Sequence, residues 1–349
     1  MKKLRLLVVL ALFAFPLFSV FAQRSHELYI YTWEGMFPQK ILDGFTRATG
    51  IKVVLETFVY NEDMLMELEM KEDGYYDLVI ADDYIVDFII SEDQLAQKLD
   101  KEKLSNLKNI NPLYQHQYYD PADDYTIPYG AGVQTIVYDP SKVRAGITGY
   151  GDLLNNVLQN NVGIIGNYRV INGMALKALG KSCNTENLAD INAAGRWLQR
   201  FAGNVKVIDD EKLHEDLLNG NIGAAVMYTS MVTTAKTENP GLKVVFPREG
   251  ISFGIMPAFI PVKAPNPDAA HVFLDYIMDA RRGAQCFEYL GYYCTFKASE
   301  QYISPENKEF LIIPEFRNFE MIENLSQEAE DAQARIWKAF LSASKAEVR

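Results

Sequence analysis

Cysteine is scarce in this 349-residue chain. Cys183, Cys286 and Cys294 form an odd set without metal-ligand spacing, which excludes a disulfide framework and leaves either one bridge, such as Cys286 to Cys294, or three buried thiols. Histidine is nearly as rare: His26, His116, His214 and His271 are isolated from one another, none lies in a zinc-binding pattern, and they read as structural or surface residues. A nucleophile would need a histidine base and an orienting acid, yet there is no Gly-x-Ser-x-Gly elbow and no cysteine with catalytic flanks. Phosphate-cradling glycine loops are missing too. The expectation is a protein that is not an enzyme and carries no cofactor. Excess positive charge is also lacking, with 34 Lys and Arg against 46 Asp and Glu, so nucleic acid is not an expected partner.

The apolar run in the first 22 residues is too short and wrongly flanked for a membrane span. Lys2, Lys3 and Arg5, an apolar stretch over residues 6–18, and small residues before the end of Val20-Phe21-Ala22 make an export signal instead, with no nearby cysteine to accept a lipid anchor. Losing those three cations with the leader takes the net charge from −12 to −15. A mature chain soluble in the periplasm is expected.

What the chain does have is two short runs that join aromatic rings to carboxylates. Tyr31-Thr32-Trp33-Glu34 comes soon after the leader, and Ala81-Asp82-Asp83-Tyr84 follows a buried strand pattern. A ring face attracts an ammonium group by about 0.5 to 2 kcal/mol, whereas stripping water from an unpaired ion costs several, so an organic cation needs both rings and acids. Plainer readings exist for each residue. Trp33 also fits a core position with one exposed edge, Tyr84 a ring packed at a helix start, and Asp82 or Asp83 a helix cap.

The length favours two domains. Residues 28–31 read as a strand. Residues 39–49 read as a helix with Ile41, Leu42 and Phe45 inward and Gly50 as its stop, and residues 52–58 as a β-branched strand. A helix over 61–71, a buried strand over 77–81 and a helix over 84–92 continue the alternation, which means an α/β sheet. In such sheets ligands sit beyond the carboxyl ends of strands, where both aromatic-acid runs fall. Residues 127–132 are glycine-rich and read as a hinge-like crossing into a strand at 135–138. A second α/β unit follows, with strands at 163–165 and 224–227, helices at 174–179 and 189–201, a return strand near 253–262, and helices at 267–278 and 326–343.

Taken in order, Leu28-Tyr29-Ile30-Tyr31-Thr32-Trp33, Thr49-Gly50-Ile51-Lys52-Val53, Tyr76-Asp77-Leu78-Val79, Ile127-Pro128-Tyr129, Pro247-Arg248-Glu249-Gly250 and Gly291-Tyr292 resemble the periplasmic spermidine/putrescine-binding proteins of polyamine ABC transporters. The resemblance covers nearly the whole mature chain. It implies the two-lobed periplasmic binding protein fold, each lobe a mixed sheet flanked by helices, joined by crossing strands and closing on a polyamine. The lobe limits expected are 23–134 with 255–300 for the first and 135–254 with 301–349 for the second. The implied partners are putrescine or spermidine and an inner-membrane ABC permease.

By position, the resemblance implies that Trp33 lies against the polyamine methylenes, with Tyr84, Tyr228 and Tyr292 as further aromatic walls. It also implies that the acids differ from the family pattern: Asn167, Val170 and Met256 stand where carboxylates are usual, while Glu34, Asp82, Asp83 and Asp210 lie at or near cleft positions. The expected ligand-binding set is therefore Trp33, Glu34, Asp82, Asp83, Tyr84, Asn167, Asp210, Tyr228 and Tyr292. Alternatives are another small solute in the same kind of site, or a polyamine sensor that signals through a partner.

Overall fold

The computed structural model describes residues 26–71, 74–92, 94–313 and 318–349, so the leader expected over residues 1–22 lies outside them. The chain forms two compact units, one made of the chain up to Tyr129 together with Pro257–Cys286, the other of Gly130–Met256 and Phe287–Arg349. The last change of unit falls at 286/287. Tyr293 bridges to Ala131, and the Cys294 N–H donates to the Leu311 carbonyl, which ties this stretch to the second unit.

In the first unit, β1 (Glu27–Thr32) leads to α1 (Gln39–Thr49), β2 (Lys52–Thr57), α2 (Asn61–Met70), β3 (Leu78–Ile80) and α3 (Asp83–Ser91). β1 is central, parallel to β2 on one side and β3 on the other. α1 buries Ile41, Leu42 and Phe45, each apolar side chain contributing about 1.5 to 3 kcal/mol when fully buried. It stops at Gly50, whose φ of 76° is left-handed and suits glycine. Asp77, 1% exposed, accepts from the Tyr29 N–H at 2.9 Å and the Asn266 N–H at 2.7 Å, fixing the start of β3 against β1.

β4 (Thr126–Tyr138) runs unbroken from the first unit into the second. Residues 127–132 are therefore part of this strand, and the change of unit between Tyr129 and Gly130 falls within them, as expected of a crossing. Neither Gly130 nor Gly132 has a positive φ. At Gly130 the absence of a Cβ leaves room for the Met256 terminal methyl, since a Cβ there would lie 2.6 Å from Met256 Cε and that side chain would have to shift.

The second unit continues with β5 (Val162–Ile164), α4 (Tyr168–Ala178), α5 (Leu188–Phe201), β6 (Val205–Ile208), α6 (Leu213–Asn219), β7 (Ala224–Tyr228), α7 (Thr229–Glu238) and β8 (Lys243–Val245). β9 (Ile251–Phe259) carries the chain back to the first unit, where its end pairs antiparallel with β3 and α8 (Pro267–Ile277) follows. α9 (Ala280–Leu290) spans the last change of unit. α10 (Pro305–Leu311), β10 (Phe319–Met321), α11 (Gln327–Ser344) and β11 (Glu347–Val348) complete the second. There β5 lies parallel to β6 and β7, and β4 runs antiparallel to β7 and β8. Each unit is thus a mixed sheet with helices.

α4 begins six residues before the expected 174, because Asn167 caps it by accepting from the Val170 N–H at 3.2 Å. Its first turns are pinned to α11, with Arg169 paired to Glu330 and Asn172 donating to the Gln333 carbonyl. All three cysteines are buried and free, which decides between the two alternatives in favour of thiols. Burial pushes Cys286 up to about 12. His271 is buried, its Nε2 accepting from the Asp100 N–H and its Nδ1 lying 2.7 Å from the Pro267 carbonyl oxygen, a structural role.

Candidate functional site: aromatic and acidic residues at strand ends

In the first unit the register of β1 against β3 aligns Tyr31 with Val79, so the two runs singled out in the sequence emerge from neighbouring parallel strands at the same end. Trp33 is half-buried and its ring centroid lies 4.9 Å from that of Phe58 at an interplanar angle of 55°. Phe58 meets Tyr31 edge-on at 5.0 Å, and Tyr31 stacks on Tyr76 at 4.1 Å. Offset and edge contacts of this kind are favourable beyond the area they bury. The hydroxyls of Tyr31 and Tyr76 both donate to Glu67 at 2.8 Å, and Tyr75 donates to Glu56 at 2.7 Å. Trp33 therefore rests on an aromatic stack fastened underneath by two carboxylates. Glu34 and Gly35 are exposed, and Gly35 turns the chain with φ of 77°.

Asp82 and Asp83 part company. Asp82 has the backbone position of the α3 N-cap, but its carboxylate does not cap the helix. Its Oδ2 instead accepts from Asn61 Nδ2 at 2.8 Å. Asp83 is buried, and its charge is among the causes that push the buried Tyr119 phenol upward, after burial itself. It belongs to the interior of its own unit, which weighs against ligand contact. Tyr84 is 38% exposed, and its hydroxyl donates to Glu62 at 2.9 Å while accepting from Asn61 at 3.2 Å. Burial holds the Asp82 carboxyl above the ordinary carboxylate range, the Asn61 hydrogen bond opposes that, and the nearby Glu62 charge reinforces it. Burial and Glu62 also hold the Tyr84 phenol up, at about 12, against the Asn61 hydrogen bond. The placement of Trp33, Asp82 and Tyr84 just past strand ends was legible in the sequence. Asn61 and Glu62 were missed, since their partners lie about twenty residues away along the chain and an Asn-Glu pair opening a helix signals only a helix start.

In the second unit the strand ends again carry the candidates. Asp210, two residues past β6, is exposed and accepts from the Gly166 N–H at 2.8 Å. The absence of a Cβ on Gly166 lets the carboxylate sit close, since a Cβ there would lie 2.9 Å from Asp210 Oδ2. Tyr228 closes β7 opposite Gln134 of β4 and is half-buried. The Tyr292 ring runs along the same strand, as a Cβ on Gly132 would meet its Cε1 at 3.9 Å. Gly291, at φ of 68°, packs against Ser230 and Thr233 of α7, which brings Tyr292 to the helix that Tyr228 opens. Asn167 is exposed, with its side-chain oxygen committed to the α4 cap.

Val170 and Met256 are buried apolar side chains. Glu249, part of the Pro247-to-Gly250 motif, accepts from the Tyr150 and Gly151 N–H groups and so anchors a turn of its own unit. Among the described residues no group of acids, histidines and cysteines could hold a metal ion, and no helix is long and apolar enough to cross a membrane.

Comparison with known proteins matches residues 40–310 to the family model of bacterial extracellular solute-binding proteins, and the chain belongs to that family. The spermidine/putrescine-binding periplasmic proteins of Salmonella typhimurium and of Escherichia coli K12 are each 31% identical over 290 residues, covering 82% of both chains. Among solved structures, a spermidine/putrescine ABC transporter substrate-binding protein from Streptococcus pneumoniae superposes with a TM-score of 0.85 at 25% identity, over 92% of this chain and all of the other. The fold is thus that of the periplasmic binding proteins.

Proposed function

We propose that this protein captures an aliphatic polyamine, putrescine or spermidine, outside the cytoplasm and delivers it unchanged to an inner-membrane ABC permease. The observation that carries the reading is the first unit's strand-end arrangement. An indole face supported by Phe58 stands on the strand next to the one that presents Asp82 and Tyr84. An alkyl diamine needs an apolar face for its methylenes and an anionic oxygen for each ammonium. The names of the relatives support the same ligand class. The leader over residues 1–22 is removed in this reading, leaving a soluble periplasmic protein, and no bond in the ligand is made or broken.

Trp33 packs on the methylenes, Tyr84 lines the same face, and Glu34 and Asp82 receive ammonium groups. On the second unit Asp210 supplies an anionic contact, and Tyr228 and Tyr292 supply aromatic ones. Asp83 and Asn167 take a secondary part, because each is already committed within its own unit. Titration of the purified mature chain with putrescine, cadaverine, spermidine and spermine by calorimetry tests the assignment. Saturable binding of at least one amine at micromolar concentration is the expected result. Binding of an amino acid, sugar or oligopeptide with no response to any amine would overturn it.

A further inference from the structure

We propose that Asn61 is the positioning residue of the amine site on the first unit, its side-chain amide holding the Asp82 carboxylate and the Tyr84 hydroxyl in one arrangement ready for an ammonium group. The inference rests on the polyamine reading above.

Asn61 is the first residue of α2 and only 6% exposed. An asparagine at a helix start usually serves as the cap, but here the cap position belongs to Tyr60, with no side-chain hydrogen bond. The Asn61 amide is spent elsewhere. Nδ2 donates to Asp82 Oδ2 at 2.8 Å and to the Tyr84 hydroxyl at 3.2 Å, and Oδ1 accepts from the Asp82 N–H at 3.3 Å. Both N–H bonds that an amide can offer are used on residues assigned to the ligand. The two bonds to Asp82, one on its side chain and one on its backbone, fix where that carboxylate points. Among the described residues Asp82 Oδ1 accepts no hydrogen bond, which leaves that oxygen for an incoming cation.

The charged and titratable groups facing Asp82 are Glu62 on α2 and Tyr84 on α3. Burial and the Glu62 charge favour the neutral acid, and Asn61 alone among the named influences favours the anion. Without the amide, Asp82 takes up its proton at higher pH, and a protonated acid cannot pair with an ammonium. The ammonium groups of a polyamine lower one another's pKa below the lysine value near 10.4, so the parent titrated at the same pH values corrects for protons the amine itself gives up. Loss of Asn61 should therefore weaken binding in a pH-dependent way, whereas a purely structural role would weaken it equally at every pH.

The test is calorimetric titration of the mature chain with putrescine, at about pH 5 and about pH 8, the lower nearer the carboxylate range and the higher still below the lysine-like range of an ammonium. The parent is compared with Asn61→Leu, close in size, and with Asn61→Asp, which sets a second carboxylate against Asp82; circular dichroism confirms that each is folded. Asn61→Leu is expected to bind about tenfold to a hundredfold more weakly at the lower pH, as for a lost hydrogen bond to a charged group, and to recover most of that loss at the higher pH. Asn61→Asp should show the steeper pH dependence and decides the matter if the leucine variant does not fold. Equal losses at both pH values, or none, overturn the role of Asn61. A parent that binds no amine at either pH instead overturns the polyamine reading itself.

Discussion

In the first unit Asp82 is half-buried, held by a side-chain amide and faced by a second carboxylate. In the second, Asp210 stands exposed at a strand end and takes one backbone N–H. The two acids occupy equivalent places beyond their sheets but differ in what water already does for them. A desolvated anion gains much from a cationic partner because little else neutralises it, while a solvated one exchanges water for ligand at small net gain. The energy of amine capture should therefore be concentrated in the first unit, with the second contributing mainly aromatic surface.

The sharpest way to break this comparison is Asp82→Asn. Removing one member of a buried pair costs about 3 to 5 kcal/mol, so amine affinity should fall at least about a hundredfold in calorimetry. The unliganded protein should respond in the opposite direction. The folded-state pKa of Asp82 is raised, so the folded chain holds its proton more tightly than the unfolded chain does. Stability from this group then falls as pH rises from the unfolded value, near 3.9, through the raised folded one, and the penalty is complete above it. At neutral pH the neutral amide escapes that penalty, keeps an acceptor for Asn61 Nδ2 and suits the N-cap position, so the melting temperature should rise while binding is lost. A fall in both would mean that Asp82 serves the fold and not the ligand.

Next in size is Trp33→Ala. In the proposed site the indole face would receive methylenes and ammonium alike, and truncating such an aromatic anchor costs about 2 kcal/mol or more, a loss of about thirtyfold. The stack below it, Phe58 on Tyr31 on Tyr76, does not depend on Trp33. Thermal stability should therefore change little, and tryptophan fluorescence of the parent should shift on adding putrescine but not in this variant. Asp210→Asn should be weaker still, about fivefold or less, because exposed ion pairs contribute 0 to about 1 kcal/mol. The residual effect should fade in high salt, as an exposed charge contact does.

How much of this could be read beforehand follows from the range of the interactions. The alternation of strand and helix, the Gly50 stop and the placement of Trp33 and Asp82 past strand ends are local patterns, and the structure has them. The pairing of Asn61 with residues 82 and 84, and of Phe58 with Trp33, joins segments about 20 residues apart, which composition and periodicity do not encode. The glycines of β4 are a related case, since they mark the crossing but not the strand that runs through it. A glycine that sits in extended strand beside a packed side chain and one needed for a positive φ look alike in sequence, and only the backbone angles and the Met256 side chain beside Gly130 separate them.

Asn167 poses the same ambiguity inside the candidate site, and the smallest predicted effect resolves it. Its position matched a ligand-contacting acid by resemblance, yet its side-chain oxygen caps α4 and the residue after it begins the turns that Glu330 of α11 secures. Replacing an N-cap asparagine by alanine costs about 1 kcal/mol of stability, because one buried helix-end N–H loses its acceptor. Asn167→Ala should accordingly lower the melting temperature by a few degrees and leave putrescine affinity within about twofold, an amount that a lost cap does not transmit to a ligand. Asn167→Asp keeps the cap and places a charge at a helix N-terminus, where it is favourable. That variant should restore stability, and if it also strengthens spermidine over putrescine, Asn167 faces the ligand as well as the helix and the second unit contributes more than aromatic surface.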